Sequence, residues 1–175
     1  MTLPNNFNNL VYAIETHLVS GSGLYPNIIP TGSYSLNWYY ENRDASGLSQ
    51  DSLAKDQLRV KINSFSDANA WLQPNTKTLY DIEIAVDIAT HLDSKILKNR
   101  RSDIETGLAN KSLGIQRTLT DPFTMLTGSS GNETGLVSGR LQFIRYQNPK
   151  FDYVNSVATA TCLFSGKVAL SRSNV

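Results

Sequence analysis

The sequence predicts an α+β protein in which a mainly antiparallel sheet is flanked by two helices and joined by long loops. Several segments alternate apolar and polar residues with the period of a strand, and two others repeat apolar residues at helical spacing. The predicted order is helix, strands, helix and two strands, which lacks the strict alternation of a doubly wound parallel sheet. The 175 residues show no internal repeat and predict one domain, 1–175.

The first predicted element is a helix near the amino terminus, where Asn5 or Asn6 can cap the first turn. Its apolar residues recur every three or four positions: Phe7, Leu10, Val11, Ile14 and Leu18. The segment SGSG (20–23) ends this helix. The next segments, LYPNIIP and TGSYSLNWYY, are predicted to be extended, because proline disfavours a helix and aromatic residues favour strands.

A long polar segment precedes the two central strands. Residues 41–57, ENRDASGLSQDSLAKDQ, are rich in turn-forming residues and are predicted to be an exposed loop. In the following LRVKINSF, the apolar residues Leu58, Val60 and Ile62 alternate with polar ones. The segment YDIEIAVDIATHLD (80–93) alternates in the same way, so both segments are predicted to be half-buried strands.

A second helix is predicted over 94–113. Asp93 or Ser94 can cap its start, and Gly114 can end it in a left-handed conformation. Its apolar stripe consists of Ile96, Leu97, Ile104 and Leu108.

The last part of the chain is predicted to contain a loop and two strands. Residues 121–135 include a proline and three glycines and are predicted to form a second long loop. Two further segments, 137–146 and roughly 154–164, are predicted to be strands. A turn of Asn148, Pro149 and Lys150 would join them as an antiparallel pair.

Composition and charge argue against several classes of function. The net charge of +1 gives no bulk electrostatic basis for binding nucleic acid or a membrane. No apolar run approaches the roughly 20 residues that span a bilayer, and the amino terminus lacks the pattern of a secretory signal. The single cysteine, Cys162, cannot form an internal disulfide and fits a chain that folds in a reducing cytoplasm.

Motifs of the common enzyme classes are missing from the sequence. It contains no GxxxxGK[ST] phosphate loop, no GxGxxG after a strand, and no GxSxG, HExxH or CxxC motif. Cys162 lies in the middle of a predicted strand, VATATCLF, where a small buried side chain is expected. His17, near the end of the first helix, is expected to be structural or solvated. The sequence therefore predicts a protein that is not an enzyme and holds no cofactor or metal.

The strand at 80–93 carries three carboxylates on one face: Asp81, Glu83 and Asp87. With His91 they could hold a divalent cation. Strand residues four positions apart are about 13 Å apart, however, which is too far for Asp87 and His91 to meet at one ion. The other interpretations are a solvated strand face, or an acidic face along which a polyanion passes without binding.

A basic cluster lies in KILKNRR (95–101): Lys95, Lys98, Arg100 and Arg101. One interpretation is a solvated helix face, and the other is a contact with an acidic surface of a neighbouring subunit. No helix-turn-helix or zinc-finger pattern surrounds the cluster, so sequence-specific DNA binding is not supported.

Three segments together cover most of the chain and carry a resemblance to a known family. They are the helix NNFNNLVYAIETHL, the strand and capped helix of YDIEIAVDIATHLDSKILKNRRSDIETGL, and the strand pair TGLVSGRLQFIRYQ and VNSVATATCLFSG. In this order they resemble the tail terminator (tail completion) proteins of long-tailed bacteriophages, which are small α+β subunits.

The resemblance implies a structural virion protein that forms a ring, commonly a hexamer, on the head-proximal end of the tail tube. Such a ring stops tube polymerisation, provides a docking surface for head and neck proteins, and lets DNA pass through its centre. The implied partners are further copies of the chain, the tail tube protein, a head-completion or neck protein and, in a contractile tail, the sheath protein. No membrane partner is implied, and assembly takes place in the host cytoplasm.

The resemblance also suggests roles for the two charged clusters. The acidic face would line the channel and repel phosphates: Asp81, Glu83 and Asp87. The basic cluster would contact other subunits or the tube: Lys95, Lys98, Arg100 and Arg101. The loops at 41–57 and 121–135 would make axial contacts. The alternatives are another neck component, such as a head-completion or connector subunit, and a metal-dependent phosphoesterase that uses the acidic strand.

Overall fold

A computed structural model describes residues 3–20, 34–36, 56–68, 77–92, 101–121 and 134–172 of the chain. It contains helices α1 (Asn8–Ser20) and α2 (Arg101–Thr120). The strands are β1 (Tyr34–Ser35), β2 (Asp56–Asp67), β3 (Lys77–His91), β4 (Gln142–Asp152) and β5 (Val157–Ser171). The predicted α+β class is confirmed.

The five strands form one sheet in the order β1-β2-β3-β5-β4. The short β1 runs parallel to β2, and every other neighbouring pair is antiparallel. The long strands β3 and β5 lie in the middle and pair with each other along their whole lengths. The predicted antiparallel sheet is therefore present, with the 80–93 strand at its centre.

One face of the sheet is covered by both helices and forms the core. Helix α1 packs against β2, and α2 packs against β4 and β5. The alternation predicted for β3 is the reason: Ile84, Val86 and Ile88 all point to the helices and are fully buried. Residues of the same parity on β5, such as Phe164, complete this layer. Burial of this apolar surface is the main stabilising contribution to the fold.

Helix α1 begins where the sequence predicts. The side-chain oxygen Oδ1 of Asn6 accepts a hydrogen bond from the backbone N–H of Asn8 at 3.0 Å, so Asn6 is the capping residue. The apolar side chains of Leu10, Ile14 and Leu18 are fully buried on the core side. These contacts confirm the predicted amphipathic helix.

Strand β2 contains a β-bulge that the alternation of its sequence does not predict. Ile62 pairs with Ile84, but Ser64 pairs with Glu83, so Asn63 is the additional residue. The bulge brings Phe65 to the helix side, where its ring centroid lies 5.3 Å from that of Phe7. The ring of Tyr80 completes this aromatic group, with its centroid 5.8 Å from that of Phe65.

The second helix differs from the predicted 94–113. Helix α2 covers Arg101–Thr120, and residues 93–100 lie outside the described part of the chain. Gly114 does not end the helix, because Ile115 and Leu119 continue the buried stripe beyond it. The core contact of these residues outweighs the low helix propensity of glycine.

The predicted turn at Asn148, Pro149 and Lys150 is wrong. These residues belong to β4, and the chain reverses at 153–156 instead. Strand β4 lies at the edge of the sheet, where a proline removes no ladder hydrogen bond, and the register shift between Gln147 and Lys150 accommodates it. The two strands accordingly cover Gln142–Asp152 and Val157–Ser171 rather than 137–146 and 154–164.

The two predicted long loops lie largely outside the described residues. Of the 41–57 segment, Asp56 and Gln57 are described, and they belong to β2. Of the 121–135 segment, residues 122–133 lie outside the described part. The predicted extended segments before the first loop are described only at 34–36.

Candidate functional site

The sheet face opposite the helices carries the carboxylates of the strand at 80–93: Asp81, Glu83 and Asp87. No helix packs on this face in the described part of the chain. Because strand side chains alternate, the residues paired across neighbouring strands lie in rows. One such row consists of Arg59 on β2, Asp87 on β3 and Thr161 on β5, followed by Gln147 on β4. We call this surface the helix-free face.

Asp87 is the most deeply placed charge of the helix-free face, with only 4% of its side chain exposed. Its Oδ2 accepts hydrogen bonds from Arg59 Nη2 at 2.8 Å and Arg59 Nε at 3.2 Å. The ammonium group of Lys61 lies 3.1 Å from the same oxygen. Oδ1 accepts a hydrogen bond from Thr161 Oγ1 at 2.6 Å. Both carboxylate oxygens therefore have donors on the two neighbouring strands.

The environment of Asp87 keeps its carboxylate ionised. Burial by itself raises the pKa of Asp87. Hydrogen bonds from Thr161, Arg59 and Lys61, together with the charge of Lys61, outweigh burial and hold the pKa of Asp87 below its ordinary value. Asp87 is thus a buried anion that holds two cations in place.

The other two acidic residues of the predicted cluster are more exposed. Asp81 forms a salt bridge with Lys167, at 2.8 Å between Oδ1 and Nζ, in which both side chains are about half exposed. The carboxylate of Glu83 accepts a hydrogen bond from the side-chain amide of Asn63. Asp81, Glu83 and Asp87 therefore do share one face, but basic and amide groups lie among them. That they line a channel stays a prediction.

A shallow depression of about 170 Å³ lies above Asp87. Its lining contains Arg59 and Lys61 from β2 and Lys150 from β4, three cations beside the single carboxylate of Asp87. Neutral donors complete the rim: Gln147, Asn148, Thr159 and Thr161. The depression is therefore more basic than the strand sequence alone suggests.

Sequence reasoning missed Arg59 and Lys61 as members of this cluster. Both were identified only as the polar side of an alternating strand. The available signal was the opposite sign of the polar faces in two consecutive strands: Arg59 and Lys61 on one, and Asp81, Glu83 and Asp87 on the next. Strands close in sequence commonly pair, and opposite charges then lie across from each other.

Of the predicted basic cluster, only Arg101 is described. It begins α2, where Nε lies 3.0 Å from Glu105 Oε1 and the guanidinium lies 4.5 Å above the ring of Phe151. Lys95, Lys98 and Arg100 lie outside the described residues. A second depression, of about 400 Å³, lies beside Arg101 between α2 and β4. The contact role of the basic cluster stays a prediction.

Cys162 is buried, as predicted, and His17, predicted to be structural or solvated, is partly exposed. Cys162 is fully buried in the core, where burial raises the pKa of its thiol. Burial lowers the pKa of the half-buried His17, against the opposing charge of Asp121. Within the described residues, no group of three or more His, Cys, Asp or Glu side chains is arranged to hold a metal ion.

Both sides of the sheet end in strands with open backbone edges in the part that the structure describes. β1 pairs only with Asp56 and Gln57, so the rest of β2 has no described strand beside it. β4 pairs with β5 on one side and with no described strand on the other. An open strand edge presents unpaired N–H and C=O groups that another chain can pair with.

The fold is similar to that of a chain in the solved virion of a native gene transfer agent (GTA) particle. The TM-score is 0.50 at 14% sequence identity, and the match covers 92% of this chain and 95% of that chain. The likeness is one of fold, and it extends over nearly the whole of both chains. No protein-family model and no curated protein sequence matches this chain. None of the described helices is long and apolar enough to cross a membrane.

Proposed function

We propose that this chain is a structural protein of a phage-like virion. The observation that carries the proposal is the fold likeness to a chain of the GTA virion over nearly the full length of both chains. A second point of support is that the polar groups of the helix-free face pair with one another, as in a structural surface, since both oxygens of Asp87 accept hydrogen bonds from neighbouring strands. The proposed protein performs no catalysis.

Within this class, we propose a tail terminator that forms a ring on the head-proximal end of the tail tube. The ring, taken to be a hexamer, stops tube polymerisation and gives head-completion or neck proteins a docking surface. DNA passes through its centre without specific binding, and the subunits assemble in the host cytoplasm. The order of elements in the sequence supports this proposal, because the amphipathic helix α1 and the long central strand β3 are both present.

The two open sheet edges supply a route to ring closure. A heterologous contact joins different surfaces of successive subunits and closes when the rotation between them closes. The open edge of β2 on one subunit and the outer edge of β4 on the next are different surfaces of this kind. Pairing them would continue the sheet around the ring. The helix-free face would then point inward, because the bulky helices need the larger radius outside.

In that arrangement the channel wall carries both positive and negative charges and is not uniformly acidic. Asp81 supplies exposed negative charge and Glu83 partly exposed negative charge, whereas Asp87 is neutralised by its two cations. Repulsion of DNA would then come from Glu83 and, reduced by the salt bridge with Lys167, from Asp81. The role of Asp87 would be to fix Arg59 and Lys61 on the wall.

The remaining contacts of the ring are assigned to the basic cluster and the long loops. Arg101 lies at the exposed start of α2, and with Lys95, Lys98 and Arg100 it would contact a neighbouring subunit or the tube. The loops at 41–57 and 121–135 would contact the tube, the neck or, in a contractile tail, the sheath, since surface loops commonly carry such contacts.

The first test is the mass of the purified protein by light scattering, alone and mixed with tail tubes. A ring-sized species, or binding at tube ends that halts their growth, would support the terminator. A monomer that ignores tubes would overturn it, and binding to portal or adaptor protein instead would indicate another neck component. Arg101→Gln should weaken assembly, whereas Arg117→Gln, an exposed position on the same helix, is the matched control.

A metal-dependent phosphoesterase that uses the acidic strand has less support. Metal ligation by Asp87 would require it to give up hydrogen bonds from Arg59 or Thr161. A metal titration tests this alternative. Binding of the metal by the wild type, and none by the double variant Asp81→Asn, Glu83→Gln, would favour the phosphoesterase over the structural protein.

A further inference from the structure

We propose that the depression above Asp87 binds a phosphate group, and that the group comes from the backbone of the DNA that passes the helix-free face. The binding of phosphate rests on the geometry of the depression alone. The assignment of that phosphate to DNA rests on the proposed function, in which this face lines the channel.

The cations of the depression are held in fixed positions. Arg59 and Lys61 both bond to Oδ2 of Asp87, which is 4% exposed, while their own side chains remain 35% and 44% exposed. An anchored cation loses less side-chain entropy on binding an anion than a free surface lysine does. Lys61 has three N–H donors and directs one of them to Asp87, so the others are available to a ligand.

The charge of the depression favours an anion. Three cations, Arg59, Lys61 and Lys150, surround one carboxylate, and that carboxylate lies beneath them rather than at the opening. Lys150 has no salt-bridge partner among the described residues. An incoming anion would therefore meet an excess of positive charge, and Asp87 would not stand between the cations and the ligand.

The donors and the size of the depression suit a phosphate group. A phosphate has several acceptor oxygens, which ammonium, guanidinium and hydroxyl groups can satisfy together. Thr159 and Gln147 add neutral polar groups to the rim. One water needs roughly 10–15 Å³ of such space, so the depression, at about 170 Å³, has room for a phosphate and several of its waters.

The contact with DNA would be weak and reversible. Farther along the helix-free face lie the exposed carboxylate of Asp81 and the partly exposed carboxylate of Glu83, which oppose a second phosphate contact. A ring would repeat the depression once per subunit, so that several weak contacts act on one DNA molecule together. The wall would thus hold the DNA lightly without stopping its movement.

The test begins with inorganic phosphate as the probe. Backbone amide signals of the purified chain are followed by NMR during titration with phosphate, and with acetate or chloride at matched ionic strength. Phosphate should produce saturable shifts around Thr159, Thr161 and Lys150. Lys150→Ala should weaken binding about fivefold, as expected for one partly exposed ion contact. Lys167 is an exposed lysine of the same face outside the depression, so Lys167→Ala should leave phosphate binding unchanged.

The second arm uses a short duplex oligonucleotide and fluorescence anisotropy. Binding should be competed by phosphate, and Lys150→Ala should reduce the salt dependence of the binding constant by about one unit of slope. Equal shifts with acetate would overturn the proposal in favour of a protein carboxylate as the ligand. No saturable shift with phosphate, or DNA binding unaffected by Lys150→Ala, would also overturn it. If the chain binds phosphate as expected but does not cap tail tubes, only the terminator function and the assignment of the phosphate to DNA are overturned.

Discussion

Arg59 and Asp87 are 28 positions apart in the chain, yet Arg59 donates two hydrogen bonds to Oδ2 of Asp87, from Nη2 at 2.8 Å and from Nε at 3.2 Å. The two residues are directly paired across β2 and β3. Because the Asp87 side chain is almost completely buried, its charge depends on Arg59 and Lys61 for stabilisation. This pair fixes the register of β2 against β3 by charge as well as by backbone hydrogen bonds.

Replacing Asp87 with Asn should lower the free energy of unfolding by about 2–4 kcal/mol, because Arg59 and Lys61 would lose the buried anion that they share. Urea denaturation followed by circular dichroism measures the change. Asp81→Asn is the matched control on the same strand. Its partner Lys167 is half exposed, so the loss there should stay below about 1 kcal/mol. Equal losses in the two variants would contradict the stabilising role of the buried pair.

The same carboxylate should set part of the acid dependence of stability. Burial raises the pKa of Asp87, but hydrogen bonds from Thr161, Arg59 and Lys61 outweigh it, so the folded-state pKa lies below the ordinary 3.8. The stabilisation is present in full above pH 3.8 and is lost as pH falls through the folded-state pKa. The free energy of unfolding should therefore fall less steeply in Asp87→Asn than in the wild type at pH below about 4. Identical acid slopes would show that Asp87 does not titrate with folding.

Gly135→Ala should destabilise the protein by about 1–3 kcal/mol, since a positive φ is unfavourable for alanine. At this position φ is +80° and an added Cβ would lie 2.7 Å from the carbonyl oxygen of Ala169. Gly107→Ala is the control: nothing lies within 4 Å of its added Cβ. In the middle of α2, that substitution should stabilise the protein by roughly 0.5–1 kcal/mol. Thermal unfolding of both variants measures these changes in stability. A Gly135→Ala protein as stable as the wild type would contradict the prediction.

Cys162 should not react with thiol reagents in the folded protein. Its side chain is fully buried, its Sγ lies 4.0 Å from the carbonyl oxygen of Ser112, and burial raises the pKa of the thiol. Labelling by a chromogenic disulfide reagent should be slow in buffer and should proceed at the rate of an ordinary thiol in denaturant. Cys162→Ala gives the background signal. Rapid labelling under native conditions would mean that the strand opens or that the thiol is accessible.

The fold was predictable from sequence where burial is one-sided. Leu58, Val60 and Ile62 alternate with polar residues because only one side of the sheet packs against helices, and that difference is visible in the chain itself. The prediction that Asp81, Glu83 and Asp87 share a face was correct for the same reason. Their partners were not predictable, because the register that places Arg59 across from Asp87 is a property of the assembled sheet.

The sequence-based predictions were wrong where tertiary packing outweighed a local sequence signal. Gly114 signals a helix end, but the apolar positions of Ile115 and Leu119 continue the contact of α2 with the sheet. Asn148 and Pro149 signal a turn, but an edge strand tolerates them and the chain reverses later, at 153–156. In the observed reversal, the Asp152 side chain accepts hydrogen bonds from the backbone N–H groups of Val154 and Asn155.

The additional residue at Asn63 constrains how this gene can change in length. Before Asn63 the even-numbered residues of β2 face the helices, and after it the odd-numbered Phe65 does. Deletion of Asn63 would remove the bulge and leave Phe65 on the helix side, because Ser64 would still pair with Glu83. Closure of the bulge without loss of a residue would instead exchange the two faces of the strand beyond that point, and Phe65 would lose its contacts with Phe7 and Tyr80. Selection should therefore tolerate loss of codon 63 better than loss of a neighbouring codon in this strand, because only the bulged residue can be removed without changing which side chains face the helices.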